Sequence, residues 1–290
     1  MNYLNRRYYT ILIGLICFIL FISSSLNNIE VYKKSLVSQI EKLYLPILMY
    51  HQVKENGVGK DVITQSEFEA DLIYLKENNY NTITMQDLLD FVYNNKLLPE
   101  NPIILTFDDG YLTTYKYVFS LLKKYDMKIV LSIIGISTDK FSKVLDENIE
   151  YSHITWNQLN EMLESGLVEV QNHTYNMHSY SSGRKGCSQK KGECYSDYQS
   201  VLSEDLELLQ NKIYEKTGEV PNTVTYPYGA YNDSTIEIIK QNGFKAALSC
   251  RYGVNVVSRE MNLFELRRIC RAHGESAQKL LADIKKIINN

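Results

Sequence analysis

The amino-acid sequence predicts an α/β fold, a closed or nearly closed (β/α) barrel of about seven strand–helix units. Three observations predict it. Apolar runs of strand length alternate with helix-like runs from Leu45 to the C-terminus. About seven such units in roughly 240 residues suit one barrel domain. The polar residues that stand out, His51, Asp108, Asp109, His173 and Tyr228, each close an expected strand. In such barrels chemistry collects at that end of the strands.

The chain opens with Arg6 and Arg7 ahead of 10-TILIGLICFILFISSSL-26. With Tyr8, Tyr9 and the serines the apolar stretch reaches the ~20 residues that a membrane span needs. Residues 1–26 are therefore expected to be a transmembrane signal anchor. A cleaved signal peptide is the alternative, although only the weak small-residue site near Ser23, Ser24 and Ser25 would serve it. Positive charge before the span puts the remainder outside the cytoplasm. The expected location is the cell membrane, single-pass, or the exterior if the segment is removed. Residues 27–44 are polar and helix-compatible and read as a stalk, leaving 45–290 as the globular domain.

Within that domain, 45-LPILMYHQV-53 is the first strand. A capping box at Ser66–Glu69 starts a helix carrying Phe68, Leu72 and Leu75 at helical spacing. A short strand at 80-YNTI-83 leads to a helix that Thr84 caps. The buried strand 102-PIILTFDDG-110 precedes a helix near 114–125 and the strand 128-KIVLSII-134. A second capping box, Thr155 to Gln158, begins a helix that Gly166 ends. Strand 167-LVEVQNH-173, a long helix over about 196–217 and strand 222-NTVTYP-227 follow. A helix begun by Asn232 or Asp233 stops at Gly243. Strands 244-FKAALSC-250 and 263-LFELRRIC-270 and a helix after Ser276 complete the chain.

Composition excludes some functions. A net charge of -3, with no basic face, speaks against nucleic acid as a partner. Hydrophobic residues at 44% supply a core without staples. The 23 tyrosines suit sugar stacking, but most fit half-buried strand and helix positions. Outside the apolar segment the cysteines are Cys187, Cys194, Cys250 and Cys270. Cys187 and Cys194 could close the loop between them, or all four could be free thiols. No CxxC spacing offers a zinc knuckle.

The strand ends could support metal-assisted hydrolysis. Neutral imidazoles suit zinc and its neighbours, and His173 and His178 lie close together in 171-QNHTYNMHSY-180. Their five-residue step fits neither one helix face nor one strand face. It fits a strand end rolling into a loop, so that both rings converge. Two histidines and an aspartate make a three-ligand site, and such a site lowers the pKa of a coordinated water to about 7. A second carboxylate can take the proton. Asp108 and Asp109 point opposite ways on a regular strand, but Gly110 lets the backbone turn; taken alone, DDG is a turn. Tyr226-Pro227-Tyr228-Gly229 offers a backbone N–H for an oxyanion, with Gly229 allowing close approach, or is a proline-directed turn.

TFDDG at 106–110, HTYNMH at 173–178 and YPYG at 226–229 resemble, in this order, the polysaccharide deacetylases of the NodB-homology group, carbohydrate esterase family 4. The resemblance covers roughly residues 45–275. It implies a distorted (β/α) barrel that removes N-acetyl groups from a polymeric amino sugar, with a divalent metal ion, zinc by preference, as cofactor. It implies Asp108 as general base and Asp109, His173 and His178 as ligands. The Tyr228 N–H would serve the oxyanion, and Tyr226, Pro227, Gly229 and His51 would line the substrate pocket. The partner would be an acetylated polysaccharide.

Departures from the family pattern carry information. The usual histidine spacing is four; the longer step here and the opening PILMYHQV are similar to the branch acting on poly-β-1,6-N-acetylglucosamine, with peptidoglycan as the other surface glycan. Thr225 stands where an arginine is usual, so Arg268 or Arg271 from the last strand is expected to orient Asp108. His273 is the nearest residue to the expected general acid. The DxxDW motif is missing, with Trp156 expected in the core and His153 at the surface. The rivals are an O-acetyl esterase, a non-catalytic carbohydrate-binding relic of the barrel, and an iron oxygenase with two histidines and one carboxylate. The paired aspartates favour hydrolysis.

Overall fold

Seven parallel strands follow one another around a ring in chain order. They are β1 (Ile47–Tyr50), β2 (Pro102–Phe107), β3 (Ile129–Ile133), β4 (Val168–Asn172), β5 (Thr223–Thr225), β6 (Ala246–Tyr252) and β7 (Leu266–Cys270). Each pairs with the next, and β7 returns to β1 through Ile269 opposite Leu48, closing the barrel. The ring is uneven. The seam between β4 and β5 rests on the single pairing of Val224 with Asn172, and the register between β6 and β7 slips between Leu248 and Tyr252. Every residue of β2 and β3 is buried, because helices cover the sheet's outer face and packed side chains its inner face.

This computed structural model describes residues 43–56, 59–181 and 183–289. The expected anchor and all but the end of the expected stalk lie outside the described residues. Among the described residues no helix is long and apolar enough to cross a membrane. A short strand at Leu43–Leu45 precedes the barrel.

The helices are α1 (Gln65–Glu77), α2 (Met85–Asn94), α3 (Phe119–Tyr125), α4 (Gly135–Lys143), α5 (Trp156–Glu164), α6 (Tyr195–Thr217), α7 (Asp233–Gln241) and α8 (Ala277–Asn289). The expected box at Ser66 is corrected: Thr64 caps α1, accepting from the Glu67 N–H at 3.1 Å while Glu67 accepts from the Thr64 N–H at 2.8 Å. Thr84 caps α2 as read, within a box that Asp87 completes, the Thr155 box forms as read, and Asn232 caps α7. Helix α4 carried no start signal, since its N-cap is Ile134 and no side chain caps it. Residues 263–265 form a 3₁₀ turn, so the last strand starts at Leu266. The four cysteines of the domain are free thiols.

All seven strands run in one direction, so the residues that follow them gather at one end of the barrel. Between the strands and α1, Tyr50 stacks on Phe107 with centroids 5.0 Å apart, and Phe68 of α1 meets both edge-on. This aromatic cluster ties the ends of β1 and β2, which His51 and the two aspartates follow, to α1.

Candidate active site

The two aspartates share a pocket because the backbone turns between them. Asp109 has φ +72°, in the left-handed region, and Gly110 follows at +75°. A regular strand would have sent the carboxylates to opposite faces. The same device recurs at Thr174 (φ +70°) and Tyr228 (φ +59°). Among the described residues the remaining non-glycine positions with positive φ are Asn or Asp, whose short side chains tolerate that region. A threonine and a tyrosine held there cost of order 1–3 kcal/mol each and persist only where surrounding structure fixes them.

Asp108 is buried and faces Arg268 from β7. The guanidinium donates to both carboxylate oxygens at 2.8 Å, and also to the Ser249 carbonyl at 2.8 Å and the Thr106 hydroxyl at 3.1 Å. Burial pushes the Asp108 carboxyl up, but the charge and hydrogen bonds of Arg268 overcome it and hold the group below its ordinary value. Arg268, one of the two arginines expected to orient Asp108, does so. Arg271 does not: its Nε donates to Asp71 at 2.6 Å, in a buried pair away from the pocket. Thr225, in the position where the resemblance led us to expect an arginine, bonds its hydroxyl to Ser132 at 2.7 Å and gives its carbonyl to His173.

Asp109 faces the two imidazoles. Its Oδ1 lies 3.3 Å from Nε2 of His173 and 3.2 Å from Nε2 of His178. Nδ1 of His173 donates to the Thr225 carbonyl at 2.7 Å, which fixes the tautomer and leaves the Nε2 lone pair for the pocket. Burial would raise the Asp109 carboxyl, yet the histidines hold it far below the usual carboxylate range. His178 is pushed down to about 4, first by burial and then by His173, which favours the neutral ring that a metal needs.

These residues fit a divalent ion. One ligand atom from each of Asp109, His173 and His178 lies within 4.8 Å of the others. Asp109 Oδ1 is buried and without a hydrogen-bond donor, an arrangement that native proteins otherwise avoid. The five-residue histidine step is a loop with its own support. Thr174 turns the chain, and Asp205 of α6 accepts the N–H groups of Tyr175 at 2.7 Å and Asn176 at 2.8 Å, returning His178 to the pocket.

The resulting cavity, about 320 Å³, is lined by His51, Asp61, Asp108, Asp109, Tyr111, His173, His178, Tyr226, Tyr228 and Cys250, among others. His51 stands with Nε2 4.0 Å from Asp108 and Nδ1 3.9 Å from Asp61. Tyr226 is buried, its hydroxyl donating to the Phe264 carbonyl at 3.0 Å. Pro227, Tyr228 and Gly229 form a 3₁₀ turn, of which Tyr228 lines the cavity and Pro227 and Gly229, expected to line it, do not. A Cβ on Gly229 would meet that of Cys250 at 2.7 Å, so glycine is required. A larger cleft of about 570 Å³ lies at Asp139, Trp156 and Lys212, but Asp139 is already bonded to Trp156, Tyr175 and Lys212. Its chemistry is satisfied, whereas the smaller cavity's is not.

Two histidine expectations change. His273 does not line the cavity; its Nδ1 lies 2.8 Å from Glu67 at the start of α1. His153, expected at the surface, is half-buried and stacks on Tyr111 and Phe141 at 4.8 and 5.6 Å. Trp156 sits in the core at the start of α5, as read. Tyr111 and Asp61 were missed. Tyr111 follows DDG immediately, a signal that could have found it, but Asp61 lies in a loop that only the fold brings over the pocket.

A sequence profile described as polysaccharide deacetylase matches residues 95–247. The Bacillus subtilis protein YxkH is 27% identical over 243 residues, 84% of this chain and 77% of its own. A poly-β-1,6-N-acetyl-D-glucosamine N-deacetylase of Staphylococcus aureus is 28% identical over 188 residues, 64% of this chain and 60% of its own. The chain thus spans less than two thirds of that enzyme. The solved structure of IcaB from Ammonifex degensii superposes with a TM-score of 0.67 at 25% identity, covering 83% of this chain and 96% of that one.

Proposed function

The chain belongs to the polysaccharide deacetylase family, and from that premise we propose that it is a metal-dependent hydrolase removing N-acetyl groups from a polymeric N-acetylglucosamine glycan at the cell surface. The family is one of hydrolases acting on carbon–nitrogen bonds other than peptide bonds. One observation carries the reading. Two adjacent buried carboxylates are treated oppositely: Asp108 is clamped by an arginine, while Asp109 is left without a donor before two imidazoles.

Asp109, His173 and His178 would hold the ion, and zinc or a neighbouring first-row metal suits that donor set. When bound, such an ion polarises the acetyl carbonyl and acidifies the attacking water. Asp108, kept ionised by Arg268, takes the proton of that water as the new C–O bond forms. The backbone N–H of Tyr228, a residue of the cavity lining held at a left-handed φ, would support the developing oxyanion. The departing amine needs a proton as the C–N bond breaks. His51 is the one remaining imidazole of the cavity lining, placed between Asp61 and Asp108, and we assign it that donation. Its separations of 3.9 and 4.0 Å are too long for hydrogen bonds; such distances commonly tighten once substrate is bound.

The histidine step and the PILMYHQV opening favour β-1,6-linked N-acetylglucosamine over peptidoglycan, and the similarity to the staphylococcal enzyme supports the same choice. Residues 1–26 would tether the domain outside the cytoplasm, where it meets such a polymer. The test is acetate release from β-1,6-linked N-acetylglucosamine oligomers, chitin oligomers and peptidoglycan, by the wild type and Asp108→Asn. We expect the β-1,6 series to be fastest and the variant to lose roughly 10²–10⁴-fold in turnover. Release from no glycan would end the deacetylase reading; faster release from chitin or peptidoglycan would end only the linkage assignment.

A further inference from the structure

We propose that Tyr180, braced against Tyr228, is a stacking platform for the sugar next to the reacting residue. The inference rests on the deacetylase reading and names a binding subsite for its polymer. Rings run outward from the candidate metal ligands. The His178 ring lies 4.4 Å from that of Tyr228, and Tyr228 lies 4.6 Å from Tyr180. Exposure rises along this path: Tyr228 is 38% exposed and Tyr180 65%. Of the other exposed tyrosines, Tyr93 and Tyr214 have no such path, and Tyr151 reaches the lining residue Tyr111 only through Phe141 and His153, with centroids up to 6.4 Å apart.

The platform is built, not a loose side chain. Directly after His178 the chain forms a two-stranded ribbon, Tyr180–Ser181 against Arg184–Lys185, with Lys185 directly opposite Tyr180. The Lys185 ammonium sits 5.5 Å from the Tyr180 ring centroid, a cation–π brace. Arg184 anchors the far strand through Glu193 at 2.5 Å and the Ser188 carbonyl at 2.9 Å. At the ribbon's exit Gly186, φ +54°, packs on the YPYG turn so closely that a Cβ would stand 2.6 Å from the Pro227 carbonyl oxygen. The Tyr228 hydroxyl donates to the His178 carbonyl at 3.3 Å, tying the wall to the ligand loop. The ribbon is thus fixed to both motifs that line the site.

An exposed aromatic patch continuous with a polar cavity marks a ligand surface. The occupant that fits is a neutral pyranose. Its ring presents a face of C–H groups, which the electron-rich face of tyrosine attracts, and it has no charge to pair with an acid or base. A polymer lying across the cavity would bring a neighbouring sugar over this wall while one acetamide reaches Asp108 and Asp109.

The test is binding, so it does not depend on turnover. A β-1,6-linked N-acetylglucosamine pentamer is titrated calorimetrically into the wild-type protein and into Tyr180→Ala, Tyr180→Phe and Tyr214→Ala. Tyr180→Ala should weaken binding roughly tenfold, the order expected for losing one well-packed aromatic contact. Tyr180→Phe keeps the ring and should stay within about twofold of wild type, as should Tyr214→Ala, outside the cavity lining. Equal affinity of Tyr180→Ala and wild type, no binding by the wild type, or equal loss in Tyr214→Ala would each overturn the platform. Acetate release judges the deacetylase reading separately.

Discussion

Replacing Arg268 by methionine removes a guanidinium from the barrel interior while keeping much of its volume. Arg268 and Asp108 are both almost fully buried, and the arginine supplies both hydrogen bonds to that carboxylate. Breaking a buried pair by removing one partner costs about 3–5 kcal/mol, because the other charge is left unpaired. The sign with pH follows. Asp108 is held below its ordinary value in the folded protein, so its contribution is present above the unfolded carboxyl pKa and is lost as pH falls through the folded one. Without Arg268, burial acts with less opposition and the carboxyl pKa rises. Urea unfolding at pH 7 should show the loss of about 3–5 kcal/mol, and the acidic limb of the pH–rate profile should move to higher pH. Adding Asp108→Asn should recover part of the stability, since a neutral amide costs less to bury unpaired. A variant within about 1 kcal/mol of wild type, with an unmoved acidic limb, would refute the reasoning.

Arg271→Met offers a contrast: it should destabilise through Asp71, which it leaves buried without its main partner, yet leave the acidic limb in place. Alanine at Asp109, His173 or His178 should lower metal content and acetate release together, and chelation should stop activity that zinc or cobalt restores; full activity in metal-free protein would exclude this site. Asp205→Ala removes the acceptor of two loop amides, so metal affinity should fall roughly 10–100-fold, as for other supporting residues of metal sites, while circular dichroism stays native. An external protease on intact cells should release the domain and leave a small N-terminal fragment in the membrane; a secreted form beginning near Asn27 would support cleavage instead.

The strand–helix alternation and its punctuation were legible because each is a local signal. Capping needs only four residues, as at Thr84 and Thr155, and a strand such as 102–107 declares itself by an apolar run that only Thr106 interrupts. The aspartates and His173 stood out in the sequence because they follow strand ends, where polar residues break an apolar pattern, and His178 because it lies close by in the next loop. Helix α4 was not, since Ile134 gives no start signal.

Arg268 and Arg271 could not be told apart along the chain. In a closed barrel both faces of a strand are covered, so β7 shows no alternation to reveal which residue points inward. Closure between β7 and β1 places Arg268 beneath Asp108 and turns Arg271 toward Asp71 on α1. The pairing of β1 with β2, Tyr50 opposite Phe107, sets His51 beside Asp108, whereas His273, at the other end of the domain's sequence, stays with Glu67. Local propensities write the elements into the sequence, but a site assembled from β1, β2, β4, β5 and β7 is made by register and ring closure, which depend on contacts between residues far apart in the chain.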